Sequence, residues 1–157
     1  MSIIFSKRCE YGLQAVLYVG ARKDRRVGIK EIADSLNIPV HFLAKVMQVL
    51  SEKGILRSYK GVGGGFTLNG APSDIRLIDV VEAIDGLDFL TQCMLGFPKC
   101  GGDFACPVHT RWGKIREIIR EMLTEETVAH LMTPSKKRMD HLLEKAMEKA
   151  DTFGQRS

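Results

Sequence analysis

The sequence predicts a mainly α-helical protein with one small β-hairpin: a winged helix-turn-helix domain plus a long dimerisation helix. Three observations carry that prediction. Two short amphipathic helical patterns flank a proline-containing break inside residues 28–53. Two strand-like runs around a cluster of glycines follow at once. Further on, a long helical pattern with a wide apolar stripe begins at Pro107.

Composition sets the bounds. A chain of 157 residues fits one domain with an appendage, and an apolar fraction of 45% is enough for a real core. No apolar run approaches the roughly 18 residues that suggest a membrane-spanning helix. The opening MSIIFSKRCEYG lacks the basic, apolar, small-residue order of a secretory signal, so a cytoplasmic protein with no membrane partner is expected. Disulfides rarely persist there, and four cysteines are too sparse for a disulfide scaffold. Clustered cysteines then favour metal or redox chemistry. Charge is uneven. Residues 1–72 hold 11 Lys+Arg against 5 Asp+Glu, and residues 73–157 hold 12 against 14. A basic N-terminal half is the electrostatic footprint of a nucleic-acid binder, although many solvated faces are as basic.

Taken in order, the first helix is expected from Ser6, a good N-cap, with Tyr11, Leu13, Val16, Leu17 and Gly20 on its core face. Arg22 to Arg26 form a polar turn. The next helix places Ile29, Ile32, Ala33 and Leu36 on one face, and Asn37-Ile38-Pro39 breaks it. A second helix from Pro39 buries Phe42 or Leu43, Val46, Val49 and Leu50, and Gly54 ends it. In a helix-turn-helix the second helix enters the major groove. The residues left off its apolar face, His41, Ala44, Lys45 and Gln48, are the base-reading candidates.

The runs ILRSYKG and GFTLNG read as a hairpin tipped by glycines. Arg57, Ser58, Tyr59 and Lys60 supply donors for phosphate contacts, and Gly63 and Gly64 let the backbone approach a groove wall. A nucleotide-binding loop is the rival reading of GVGGGF. It lacks the Lys-Ser/Thr of a P-loop and does not open a helix. Ser73 is the expected cap of the next helix, with Ile75, Ile78, Val80 or Val81, and Ile84 inward and Gly86 as its stop. From Pro107, the long helix presents Trp112, Ile115, Ile118, Ile119, Met122 and Leu123 on one side. A small winged helix offers no core to cover that face, so a second copy is expected to cover it. The organisation is then 1–72 DNA-binding core, 73–90 connecting helix, 91–108 cysteine-rich loop, 107–134 dimerisation helix and following turn, and 135–157 C-terminal helix and tail.

The loop CMLGFPKCGGDFACPVH holds Cys93, Cys100 and Cys106, with His109 three residues on. The gaps of six and five residues are too wide for a C-x2-C zinc knuckle or the tight bacterial ferredoxin run. Three thiolates on such a loop can reach an iron–sulfur cluster, and His109 is near enough to complete it. A zinc site and unligated thiols stay open on spacing alone. Cys9, inside the first helix, reads as a small packed thiol. His130 and His141 have no evident nucleophile near them, and no enzyme site is expected.

The ordered set SKRCEYGLQAVLYVG, IKEIADSLNIPVHFLAKVMQVLSEKGIL, RSYKGVGGGFTL, LIDVVEAIDG and CPVHTRW resembles the IscR/NsrR-type winged-helix transcription regulators over roughly residues 3–130. The resemblance implies a homodimer joined mainly by the long helix. It implies double-stranded DNA, with a near-palindromic operator, as partner. It also implies an iron–sulfur cluster, [2Fe–2S] favoured over [4Fe–4S], that controls DNA affinity. Cys93, Cys100 and Cys106 match the family's cluster cysteines, and His109 matches the fourth ligand of the cluster-biogenesis regulator. In the nitric-oxide-sensing branch the fourth ligand is an acidic residue of the partner's first helix, where this chain has Glu10. The sequence departs from the pattern twice. The first cysteine gap is one residue longer than usual, and Ala44 stands where some members carry Glu. Two other function classes remain: an electron-transfer protein without DNA binding, and a zinc- or thiol-based regulator on the same frame.

Overall fold

A computed structural model describes residues 4–98 and 106–132. Cys100, the middle of the cysteine loop, His141 and the expected helix within 135–157 lie outside the described residues.

Helix α1 (Lys7–Gly20) starts where Ser6 caps it: the hydroxyl accepts the Cys9 N–H at 3.1 Å. The same serine donates its backbone N–H to Asp85 at 2.8 Å and its hydroxyl to the other carboxylate oxygen. One residue thus caps α1 and ties it to Asp85, distant in sequence. The buried face of α1 is wider than the sequence suggests. Tyr18 and Val19 are buried, and Tyr11, Leu13 and Leu17 are only partly so.

Helices α2 (Ile29–Leu36) and α3 (Val40–Glu52) meet across Asn37, which takes the left-handed conformation at φ 52°. Asn tolerates that region better than other non-glycine residues. Pro39 then caps α3, its carbonyl accepting the Phe42 and Leu43 N–H groups at 3.0 Å each. On α3 the buried residues are Leu43, Val46, Met47 and Leu50. Met47 takes the core place expected of Val49, because spacings of three, four and seven from Leu43 define the stripe and Val49 sits beside it. At the C-terminus, Gly54 at φ 76° allows a Schellman turn, with Ile55 N–H to Leu50 O at 2.9 Å and Gly54 N–H to Ser51 O at 3.1 Å.

Strands β1 (Leu56–Tyr59) and β2 (Gly65–Leu68) pair antiparallel, Leu56 opposite Leu68 and Tyr59 opposite Gly65. Two four-residue strands are marginal alone. Val27, just before α2, adds a third row by exchanging both backbone hydrogen bonds with Phe66, at 3.0 and 2.9 Å.

Ser73 does not cap a helix. It lies in a single 3-10 turn, Pro72–Asp74, and the chain runs extended at Ile75 and Arg76 before α4 (Leu77–Asp85) begins. The extended pair is used: Leu77 N–H donates to Glu126 O and Val128 N–H to Ile75 O, each at 2.9 Å. Asp79 takes over the cap, accepting the Arg76 N–H at 3.1 Å and its guanidinium at 2.7 Å. Gly86, at φ 75°, stops α4 as expected.

Helix α4 lies between two apolar clusters. Val80 faces a core built from α1, α2, α3, the hairpin base and α6 (Val128–Met132). Ile78 and Val81 face a second cluster with Cys9 and Leu123. Helix α5 (His109–Glu125) begins two residues after Pro107, which lies in the turn before it. The six residues expected to form one outward stripe on α5 divide between two surroundings. Leu123 is 1% exposed inside the second cluster, and Ile119 packs against it. Ile115, Ile118 and Met122 remain outward, at 48%, 63% and 47% exposure. Among the described residues no helix is long and apolar enough to cross a membrane.

Candidate nucleic-acid interface and cysteine loop

A polar staple holds the helix-turn-helix together. The Tyr18 hydroxyl on α1 shares a 2.8 Å hydrogen bond with Ser35 and reaches Glu31 at 3.2 Å, both on α2. Arg22 lies 3.5 Å above the Tyr18 ring, and Arg25 binds Glu31 at 2.8 Å. The hydrogen bond from Arg25 leads the effects that hold the Glu31 carboxyl below its usual range. These groups orient α2, on which α3 rests.

Of the base-reading candidates, His41, Lys45 and Gln48 are exposed on α3 and Ala44 is half-buried. Gln48 is tethered to Glu52 one turn on, at 2.9 Å. In the hairpin, Arg57, Ser58 and Lys60 are exposed and Tyr59 is half-buried. Arg57 donates to Asn69 at 3.0 Å, and Asn69 in turn donates to the Gly54 carbonyl at 2.9 Å, so the end of α3 and both strands are tied at the base. Arg26 stacks 3.8 Å over the Tyr59 ring. Hydrogen bonds from Thr67 and then Arg57 lower the Tyr59 hydroxyl from its ordinary value, with Arg26 adding to the effect. In the sequence Arg26 stands out only as part of a polar turn. Its place beside the bridging Val27, an apolar residue closing a basic run, was the signal available.

The glycines of the tip have separate jobs. Gly61 and Gly63 take positive φ, at 83° and 73°. Gly64 is required for space, since a Cβ there would stand 2.4 Å from the Tyr59 carbonyl oxygen. Val62, between the two positive-φ glycines, is fully exposed.

In the cysteine loop, Cys93 follows a 3-10 turn, Asp88–Leu90, and is half-buried. Its carbonyl accepts the Gly96 N–H at 3.0 Å, which folds the chain back beside it. Cys106 is also half-buried, and its carbonyl accepts the His109 N–H at 2.9 Å at the start of α5. Trp112 and Arg116 of α5 both donate to the Gln92 carbonyl, at 2.9 and 3.0 Å, beside Cys93. Among the described residues no three His, Cys, Asp or Glu side chains are grouped to hold a metal ion. Cys100, the expected third thiol, lies outside them.

The donor chemistry does sort the cysteines. Cys9 is sealed in the second cluster, and burial, with Asp85 and Glu10 nearby, pushes its thiol up to about 12. It is unfit as a thiolate ligand. Cys93 and Cys106, by contrast, are only half-buried, at the two described ends of the loop. The alternative fourth ligand Glu10 sits in α1 and pairs with Lys7 at 2.8 Å.

The sequence matches the family described as "Rrf2: Iron-dependent Transcriptional regulator" over residues 5–134. The chain belongs to the Rrf2 family. Protein rrf2 of Nitratidesulfovibrio vulgaris is 31% identical over 126 residues, covering 80% of this chain and 84% of the relative. In structure, the Rrf2 chain is similar to CymR (YrzC), the global cysteine regulator of B. subtilis. The TM-score is 0.72 at 21% identity, covering 86% of this chain and all of the other. It is also similar to T. potens IscR, with a TM-score of 0.70 at 23% identity, covering 88% and 90%. At those identities the two structures establish the winged-helix fold. Rrf2 membership makes this chain a DNA-binding transcriptional regulator of the expected IscR-like type, not an enzyme.

Proposed function

We propose that the protein is a homodimeric, sequence-specific regulator whose DNA affinity is set by an iron–sulfur cluster on the 93–109 loop. The observation that carries the reading is the placement of the thiols. Cys93 and Cys106 lie at the two ends of a loop that joins the DNA-binding core to α5, and the family is described as iron-dependent. Cys93, Cys100, Cys106 and His109 would hold the cluster, with Glu10 of a second copy the alternative fourth ligand. A [2Fe–2S] centre is favoured, because an imidazole joins three thiolates in the matching motif. Such a cluster, when bound, supplies a group whose oxidation or loss alters the loop. DNA affinity then changes by the difference in free energy between the two loop states in the bound and unbound protein.

For the DNA, α3 would enter the major groove with His41, Lys45 and Gln48 toward base edges and Ala44 beside them. The wing, with Arg57, Ser58, Tyr59, Lys60, Gly63 and Gly64, would grip the backbone. Two copies joined through Ile115, Ile118 and Met122, with Trp112 and Ile119 at the margin, would require a near-palindrome with half-sites about one helical turn apart.

The test is an absorbance spectrum of protein purified without oxygen, with iron and sulfide counted, for the native chain and Cys100→Ala. Visible bands with near-equal iron and sulfide, lost in the variant, support the reading. A colourless protein after reconstitution, or one carrying zinc, rejects the cluster and leaves a thiol- or zinc-based regulator. A native spectrum in the variant rejects the ligand assignment.

A further inference from the structure

Arg116 occupies an unusual position. Its Nη1 donates to the Gln92 carbonyl at 3.0 Å, and the indole Nε1 of Trp112 donates to the same oxygen at 2.9 Å. Its Nε is buried and has no hydrogen-bond partner among the described residues. A buried guanidinium N–H without an acceptor is costly, and a folded chain seldom keeps one without use. The helix explains how the parts meet. His109, Trp112 and Arg116 are spaced three and four apart on α5, so they share one stripe, beside the outward Ile115. That stripe faces the chain entering the cysteine loop.

We infer that Arg116 is a positioning residue for the loop. It fixes the backbone immediately before Cys93 onto the helix that begins at His109, and its buried Nε–H is held for an anionic acceptor of the loaded loop. This rests on the reading of the loop as a cluster site. The chemistry suits the role. Cysteines that ligate a cluster do so as thiolates, which would make the loaded loop anionic, and a planar guanidinium can donate to a carbonyl and to an anionic sulfur at once. Partners outside the ligand set orient the ligands, and their loss typically costs roughly 10- to 100-fold in metal affinity. Trp112 doubles the anchor and, as the single tryptophan of the chain, reports on it.

The experiment compares full-length native protein with Arg116→Gln and Arg116→Lys, after circular dichroism has shown equal helix content. Two quantities are read: acrylamide quenching of Trp112 in the metal-free chains, and the lifetime of the visible bands in chains reconstituted with iron and sulfide. Arg116→Gln should raise quenching and shorten the lifetime roughly ten-fold or more. Arg116→Lys, which keeps the charge but not the fork, should fall between. Native lifetime in Arg116→Gln overturns the inference, whatever the quenching shows. If the native chain takes up no iron, the cluster reading fails. The quenching comparison then judges the anchor alone, and equal quenching overturns that too.

Discussion

Leu123 and Ile118 stand five residues apart on α5, and they should respond oppositely to truncation. Leu123 is 1% exposed, packed with Cys9, Ile78 and Val81, while Ile118 is 63% exposed. Leu123→Ala removes a buried side chain at the junction of α1, α4 and α5, where the backbone ties leave little room to collapse. Substitutions of this kind cost about 2–5 kcal/mol. For a chain of this size a loss of about 3 kcal/mol lowers Tm by about 6–12 °C. Ile118→Ala should change the stability of the single chain by no more than about 0.5 kcal/mol. It should instead weaken the proposed self-association, by about ten-fold if the residue lies near the centre of that interface. Urea unfolding at several protein concentrations separates the two effects, with sedimentation velocity to follow the proposed dimer. A Leu123→Ala loss below about 1 kcal/mol would refute the burial argument. A concentration-independent loss of several kcal/mol in Ile118→Ala would refute its outward placement.

Three further outcomes are expected. Gly64→Ala places a Cβ 2.4 Å from the Tyr59 carbonyl oxygen, so it should disrupt the wing and weaken duplex binding without unfolding α1–α3. Native affinity in an electrophoretic shift assay would contradict it. Lys60→Ala should weaken all duplexes about equally and reduce the slope of log affinity against log salt by about 1, and an unchanged slope removes Lys60 from the proposed phosphate contacts. Asp79 is held below the ordinary carboxylate value, chiefly by its hydrogen bond from the Arg76 guanidinium. A depressed carboxyl stabilises the fold above its unfolded value, near ~3.9, and that stability is lost as pH falls through the lower folded value. Asp79→Asn should therefore be less stable than native at pH 6, with the gap closing below about pH 4; a gap that stays constant rejects the cap.

Much of the DNA-binding frame was legible because local chemistry and tertiary structure agree there. Ser6 is both a good cap and the observed one, Asn37 and Pro39 break the helices where they should, and Gly54 has the one conformation a Schellman turn needs. The failures share a cause: distant partners. Val27 joins the hairpin through a residue 39 positions away, which no local pattern encodes. Ser73 loses its helix because Ile75 and Arg76 are drawn into extended pairing with residues 126–128. Leu123 reads as part of an outward stripe until Cys9 and Val81 are seen to cover it. The candidate site divides the same way. The exposure of His41, Lys45 and Gln48 followed from helical periodicity, whereas Arg26 over Tyr59 and Arg116 on Gln92 depend on contacts across the fold.

The bridge between Val27 and Phe66, with the Asn69 tie to Gly54, fixes the wing and α3 in one frame. The unit therefore works as a gauge with two fixed points. In the proposed binding mode, DNA must present its groove features to α3 and the wing at one separation and one rotational phase. A base pair inserted between the stretch proposed for α3 and the stretch proposed for the wing would move one feature by about 3.4 Å and turn it by roughly a tenth of a helical turn. A jointed wing could follow that change; this one is built to reject it, so operator variants should tolerate substitutions far better than insertions.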